Sequence, residues 1–153
     1  MAERWETDSP SQLKNASERR PGVLFLCTHN AGRSQMAAGF MRALAGEGVD
    51  VYSGGTEPAH EVNRAAVEAM AEEGIDISSE IPQPWTDEVL REVDVVVTMG
   101  CGDACPVFPG KRYVDWDLND PAGKPVDEVR PIRDDIHRRV EGLLSELGVA
   151  KRG

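Results

Sequence analysis

The sequence predicts an α/β fold: a single domain in which a four-stranded parallel sheet is covered by helices on both faces. Three observations support this prediction. Short runs of consecutive apolar residues alternate along the chain with longer segments whose apolar residues recur at helical spacing. The 153 residues are enough for one domain with its own core. The apolar fraction of 40% and the charged fraction of 29% are typical of a globular protein.

The first predicted unit consists of a strand, a short loop and a helix. Residues 22–27 form a compact apolar run after Pro21, which is typical of a buried parallel strand. A polar loop follows, and a helix is predicted from Arg33 to just before Gly46. The apolar face of this helix consists of Met36, Ala37, Phe40, Met41 and Leu44.

The same two patterns recur through the rest of the chain. Further apolar runs predict three strands, at residues 49–53 (ending in Gly54 and Gly55), 94–99 and 112–116. Apolar periodicity predicts three helices, at residues 62–73, 85–93 and 126–147. Pro131 is a candidate bend in the last helix, because proline interrupts helical hydrogen bonding.

The predicted domain spans residues 22–148, between an N-terminal extension (1–21) that we expect to be flexible and a short C-terminal tail (149–153). The first twenty residues hold four acidic and four basic side chains and no apolar stretch, so they do not resemble a secretory signal. No apolar run is long enough to cross a bilayer. We therefore expect a cytoplasmic protein that does not bind membranes.

The net charge limits the kinds of partner that the protein can bind, and the number of cysteines limits the roles that they can have. The formal net charge of -10 argues against a nucleic-acid partner, because a phosphate backbone is bound by clustered Lys and Arg. It does not exclude a small anion, which a local nest of N–H groups and one arginine can bind. The three cysteines suit reactive thiols, metal ligands or core residues better than a disulfide framework.

Residues 27–34 combine residue types suited to binding and attacking a tetrahedral oxyanion. Cys27 ends the predicted strand, and Arg33 begins the predicted helix after a loop of five residues. Such a loop directs main-chain N–H groups toward an anion at the positive end of a helix. The same position favours the thiolate form of a cysteine, which is the nucleophilic form. The planar guanidinium of Arg33 can pair with two oxygens at once.

Each loop position has an expected role. Ser34 can donate a hydrogen bond to the thiolate, Asn30 tolerates left-handed backbone geometry, and Gly32 is expected to turn the chain with a positive φ. The alternative is that Cys27 is simply a buried residue at a strand end. The strand before the motif and the helix after it favour the functional interpretation. The candidate oxyanion-binding residues are Thr28, His29, Asn30, Ala31, Gly32, Arg33 and Ser34, with His29 expected to be a loop residue rather than a base.

Residues 23–37, VLFLCTHNAGRSQMA, resemble the phosphate-binding loop of low-molecular-weight tyrosine phosphatases and of the arsenate reductases related to them. The segments SGGT at 53–56 and GIDIS at 74–78 resemble further landmarks of that family. The resemblance extends over about residues 22–148. It implies a phosphatase-like fold, with Cys27 as the nucleophile.

A carboxylic acid is expected near the loop, because the leaving oxygen must be protonated. Asp120, which precedes Pro121, is similar to the acid that the family carries on a mobile loop. Asp-Pro is also a common turn sequence, and Asp115 and Asp117 lie nearby. The segment that follows lacks the tyrosines with which phosphatases of the family often wall an aromatic substrate. This absence favours a small inorganic substrate.

Two more cysteines, Cys101 and Cys105, follow the third predicted strand. Reduction of arsenate requires two electrons, which a second thiol provides by forming a disulfide. The family's reductases have three redox cysteines, so we expect Cys101 to attack Cys27 and Cys105 to pass the disulfide to thioredoxin. The order of the two thiols stays open, because the pair is closer together than in some members. Half of a zinc site and inert loop thiols are the alternatives, although the histidines show no ligand spacing and no metal is expected.

The functional hypothesis is an arsenate reductase that serves arsenic detoxification. It binds arsenate or a phosphate-like oxyanion, needs no cofactor, and takes electrons from thioredoxin or another thiol donor. One alternative is a reductase that uses mycothiol instead. Others are a low-molecular-weight tyrosine phosphatase and an oxyanion-binding or redox-sensing module without turnover.

Overall fold

The computed structural model describes residues 20–100 and 110–151. Four strands within these ranges form one sheet, in which all neighbouring strands are parallel. The strands are β1 (Gly22–Cys27), β2 (Asp50–Gly55), β3 (Val95–Met99) and β4 (Arg112–Asp115). Their order across the sheet is β2-β1-β3-β4. The predicted fold class is confirmed.

Four α-helices cover the sheet within the described ranges. They are α1 (Arg33–Ala45), α2 (Arg64–Ala71), α3 (Asp87–Glu92) and α4 (Val126–Leu147), and a short 3-10 helix (Gly46–Gly48) follows α1. Alternate residues of β1 face opposite sides of the sheet. Val23 and Phe25 belong to the core shared with α1, α2 and α4, whereas Leu24 and Leu26 pack with Leu90 of α3. Helices therefore lie on both faces, with the larger core on the face of α1 and α4.

Capping side chains set the first residues of two helices, which apolar periodicity alone predicted to begin too early. The side chain of Asn63 accepts a hydrogen bond from the N–H of Ala66, so α2 begins at Arg64 rather than at the predicted residue 62. Thr86 accepts from Val89 in the same way, so α3 begins two residues later than predicted. The strand β1 has the predicted bounds, and the other three strands differ from the predicted ones by one or two residues at their ends.

The last helix, α4, has the predicted bounds and runs as one helix through Pro131. Its buried face includes Val129, Ile136, Val140 and Leu144, which pack against the core. No helix in residues 20–100 or 110–151 is both long enough and apolar enough to span a membrane.

The carboxyl ends of three strands meet beside Cys27. In the sheet register, Cys27 pairs with Gly55 of β2 and with Met99 of β3. Ligands of parallel α/β sheets bind beyond this edge. The fold therefore places the Cys27 loop where a binding site is expected.

Candidate active site

The thiol of Cys27 is buried at the end of β1 and contacts a buried hydroxyl. Its Sγ lies 2.9 Å from Oγ of Ser34 in the first turn of α1. Asn30 Nδ2 donates to the same hydroxyl at 2.7 Å. Because that donor occupies a lone pair of Ser34, the hydroxyl proton is free to point at the sulfur. The predicted contact between Ser34 and Cys27 is present.

The carbonyl groups of the loop are bonded to the segment that follows β2. N–H groups of residues 56–63 donate to the carbonyls of Cys27, Thr28, His29 and Ala31, at 3.3, 2.8, 3.0 and 2.8 Å. In the part of the chain that the structure describes, none of the N–H groups of residues 28–34 donates to a protein acceptor. A row of such free donors is what an oxyanion requires.

The N-terminus of α1 adds to this anion-binding character. Gly32, the N-cap residue, provides no side-chain cap, and the first turn contains no acidic residue. The first turn of α1 therefore leaves the positive end of the helix dipole without a capping or acidic side chain of its own. The N-terminus of α1 would therefore stabilise an anion bound beside Cys27.

Asn30 ties the loop together. It has a φ of 50°, the left-handed conformation that asparagine tolerates. Its Oδ1 accepts from the N–H of Gln83 at 2.9 Å and from Nε2 of Gln35 at 3.2 Å. Gln83 Nε2 also donates to the carbonyl of Ser53. The segment around Gln83 therefore helps to hold Asn30 and its loop in place.

The expectation that Gly32 has a positive φ is wrong, because its φ is −130°. The structure gives a different reason for glycine at this position. A Cβ on Gly32 would lie 2.6 Å from Cγ of Pro121, far inside normal carbon contact. Glycine is needed here because the loop that carries Asp120 packs directly onto the oxyanion loop.

Arg33 and Asp120 meet at the entrance to the thiol. The guanidinium of Arg33 is mostly buried, and its Nη1 donates to the carbonyl of Leu118 over a long 3.4 Å. Its Nη2 lies 3.6 Å from Oδ2 of Asp120, whose carboxyl is half-exposed. The other oxygen of Asp120 accepts from the N–H of Ala122. A partly solvated carboxyl can exchange its proton with water between turnovers.

The other acidic candidates lie elsewhere. Asp115 accepts a hydrogen bond from Thr98 Oγ1 at 2.7 Å, and Asp117 lines a separate cleft near the start of α4. His29 Nδ1 lies 3.0 Å from the carbonyl of Glu57. Since a carbonyl only accepts, Nδ1 is the donor and holds the ring against the neighbouring segment.

A cavity of about 40 Å³ contains the candidate nucleophile, arginine and acid. A single water needs about 10–15 Å³ on this measure, so the cavity has room for a tetrahedral oxyanion of a few atoms. Pockets for drug-sized ligands measure about 300–1,000 Å³. The residues that line it are Cys27, His29, Ala31, Gly32, Arg33, Asn63, Asp120, Pro121 and Ala122.

Asn63 is a site residue that sequence reasoning missed. Its N–H donates to the carbonyl of Ala31 at 2.8 Å, and its Nδ2 reaches the carbonyl of Pro121 at 3.5 Å. Asn63 thus contacts both the loop that follows Cys27 and the loop that carries Asp120, while its Oδ1 caps α2. Asparagine just before a helical segment is a capping signal, which could have identified its position although not its contacts.

The remaining predicted site residues, Cys101 and Cys105, lie outside the described residues. Among residues 20–100 and 110–151, no group of three or more His, Cys, Asp or Glu side chains is placed to hold a metal ion.

Comparison with known sequences identifies a family and named relatives. The model of the low molecular weight phosphotyrosine protein phosphatase family matches residues 22–152. Arsenate reductase 2 of Staphylococcus epidermidis is 44% identical over 125 residues, which are 79% of this chain and 94% of the relative. A putative arsenate reductase of Halobacterium salinarum is 40% identical over 128 residues, which are 80% of this chain and 90% of the relative.

Solved structures give the same result. A thioredoxin-dependent arsenate reductase of Corynebacterium glutamicum matches at a TM-score of 0.72 and 42% identity, over 84% of this chain and 62% of that one. An arsenate reductase in the phosphate binding state matches at 0.72 and 34%, over 82% and 98% of the two chains. An arginine phosphatase from Geobacillus stearothermophilus matches at 0.73 and 26%, over 84% and 93%. Reductases and phosphatases thus share this fold.

Proposed function

Because this chain belongs to the low molecular weight phosphotyrosine protein phosphatase family, we propose that it acts as an arsenate reductase, converting arsenate to arsenite for arsenic detoxification. The observation that carries the proposal is the small cavity in which the Cys27 thiol meets Arg33 and Asp120. Its size suits an inorganic oxyanion. Identities of 40–44% to proteins named arsenate reductase support the same activity.

In the first step, the Cys27 thiolate attacks arsenic. The free N–H groups of the loop and the guanidinium of Arg33 bind the arsenate oxygens and stabilise the charge that develops on them. Asp120 donates a proton to the departing oxygen, which leaves as water. The product of this step is arsenic(V) bound to Sγ of Cys27.

In the second step, a second thiolate supplies the electrons. Cys101 attacks Sγ of Cys27, and a disulfide forms between the two sulfurs. The bond between sulfur and arsenic breaks, its electron pair stays on arsenic, and arsenite is released. Two thiols are oxidised, and arsenic(V) is reduced to arsenic(III). This step rests on the sequence, since Cys101 lies outside the described residues.

The disulfide is then moved to a position from which an external reductant can remove it. Cys105 attacks Cys101, which releases Cys27 as a thiolate. We propose thioredoxin as the reductant, because the Corynebacterium glutamicum structure at 42% identity is named thioredoxin-dependent. Mycothiol is the alternative: it would attack arsenic-bound Cys27 directly and leave Cys101 and Cys105 without a role.

A coupled assay tests the proposal. Arsenate should drive NADPH oxidation when the protein is mixed with thioredoxin and thioredoxin reductase. We expect this activity to be lost in Cys27→Ser, Cys101→Ser and Cys105→Ser. Turnover that persists in Cys101→Ser when mycothiol replaces thioredoxin would assign the mycothiol route.

A phosphatase would behave differently in the same samples. It would hydrolyse 4-nitrophenyl phosphate at a rate that depends on Cys27 but not on Cys101 or Cys105, and it would consume no NADPH with arsenate. Mass spectrometry after thiol alkylation provides an independent measurement. A reductase treated with arsenate protects a pair of cysteines from alkylation, whereas a phosphatase leaves all three reactive.

A further inference from the structure

Within residues 20–100 and 110–151, the guanidinium of Arg33 is held only loosely by hydrogen bonds. Its contacts to the carbonyl of Leu118 (3.4 Å) and to the carboxylate of Asp120 (3.6 Å) are both long. Contacts of this length do not define the plane of a guanidinium, because hydrogen bonds weaken toward 3.5 Å. The side chain is nevertheless only 9% exposed. Packing must therefore supply much of its orientation.

Gly100 lies against the guanidinium. A Cβ built on Gly100 would lie 2.4 Å from Nη1 of Arg33, 3.1 Å from Cζ and 3.3 Å from Nη2. All three distances are shorter than ordinary van der Waals contact. The guanidinium thus occupies the space that any side chain at position 100 would need.

The sheet holds Gly100 in this position. Met99 is the partner of Cys27 in the register between β3 and β1, and Gly100 is the next residue. Its φ of 87° lies in the region that favours glycine. The backbone at the end of β3 is therefore placed beside the nucleophile by the pairing of the central strands.

We infer that Gly100 is a positioning residue for Arg33. Because Gly100 has no side chain, the guanidinium can pack against its backbone, and this packing orients Arg33 toward an oxyanion bound at Cys27. The inference rests on the proposed function only in that Arg33 binds the oxyanion. It predicts that adding one methyl group at position 100 weakens anion binding by displacing Arg33.

Backbone strain must be separated from this contact, and the chain offers a matched control. Gly74 follows α2 with a φ of 77°, and apart from Gly74 and its two chain neighbours no heavy atom of the described residues lies within 4 Å of a Cβ built there. Gly74→Ala therefore introduces similar backbone strain without touching a neighbour. The difference between Gly100→Ala and Gly74→Ala isolates the contact with Arg33.

The test measures binding of inorganic phosphate to the reduced, full-length protein, by its protection of Cys27 from iodoacetamide with peptide mapping. We expect Gly100→Ala to raise the Kd for phosphate about tenfold or more, the scale of losing one hydrogen bond to a charged group. Gly74→Ala should stay within about twofold of the wild type. In an Arg33→Ala background, adding Gly100→Ala should change the Kd by no more than about twofold, because the displaced group is already gone.

Thermal unfolding keeps the inference testable if Gly100→Ala folds poorly. The loss of Tm caused by Gly100→Ala should exceed that of Gly74→Ala in the wild type and should shrink to the same size in the Arg33→Ala background. Equal Kd effects of the two glycine substitutions, or a Gly100→Ala effect unchanged by removing Arg33, would overturn the inference. Failure of arsenate to drive NADPH oxidation, with these Kd differences intact, would instead sink only the proposed reductase activity.

Discussion

The contact between Gly32 and Pro121 gives the sharpest prediction about how the two loops cooperate. An alanine Cβ at position 32 would lie 2.6 Å from Cγ of Pro121. Carbon atoms normally approach to about 3.5–4.0 Å, so the contact is short by about 1 Å. The φ of Gly32 is −130°, so the residue is not left-handed, but its ψ of −85° lies outside the α and β regions and would add backbone strain to an alanine with or without the proline. Relief must come from moving the proline, and Asp120 is attached to it.

We therefore expect Gly32→Ala to slow the arsenate step while the protein remains folded. A displacement of about 1 Å of a catalytic group can cost on the order of 100-fold in rate. Overpacking should lower the free energy of unfolding by about 1–3 kcal/mol. The rate is measured in a single turnover without thioredoxin, by titrating the thiols that arsenate consumes.

A double substitution tests whether the proline is the cause. Pro121→Ala removes the atoms that an alanine at position 32 would meet. Adding Gly32→Ala to Pro121→Ala should slow the single-turnover rate far less than adding it to the wild type, since two substitutions that act through one contact are not additive. A Gly32→Ala protein that turns over at the wild-type rate would refute the reasoning. So would an equal loss in both backgrounds.

Three further predictions concern the nucleophile, a buried cation and the response to acid. Ser34→Ala removes the hydroxyl 2.9 Å from Sγ of Cys27 and should slow alkylation of that thiol roughly tenfold at neutral pH, as measured by iodoacetamide kinetics. Arg133→Leu leaves a buried carbonyl of α2 without its donor and should reduce the free energy of unfolding in urea by about 1–3 kcal/mol; no change would contradict the contact. Hydrogen bonds from Arg130 and then from Arg133 lower the pKa of Glu72 from 4.5 to about 2. The unfolded chain binds this proton near pH 4.5 and the folded chain only near pH 2, so the stabilisation is complete above about pH 4.5 and is lost as pH falls to 2. Glu72→Gln should flatten the decline of Tm across that window, and an unchanged slope would show that the carboxylate is not held as described.

Much of the fold could be predicted because its signals are local. The run of apolar residues in β1 and the helical spacing in α1 and α4 are visible in short windows of sequence, and the observed bounds of these three elements are the predicted ones. Differences of two residues occur where a side chain caps the start of a helix. Asn63 and Thr86 each form a cap with an N–H three residues later, and apolar periodicity does not register such bonds.

The candidate site was only partly predictable. The motif from Cys27 to Ser34 is contiguous, so its chemistry could be proposed from residue types and order. The reason for glycine at position 32 was wrong, because the decisive neighbour is Pro121 on a distant loop. The roles of Asn63 and Gln83 were missed for the same reason, since their contacts join segments far apart in the chain.

The amino-acid sequence by itself determined the strand, loop and helix around Cys27, because a thiol, a short loop and an arginine at a helix start are set by neighbouring residues. Only the tertiary structure decided which distant groups complete the site. The pairing of β3 with β1 brings Gly100 to Arg33, and the return of the chain after β4 brings Asp120 to the same guanidinium. Packing between segments is cooperative and has no signature in either segment alone, so these contacts become visible only when the chain is folded.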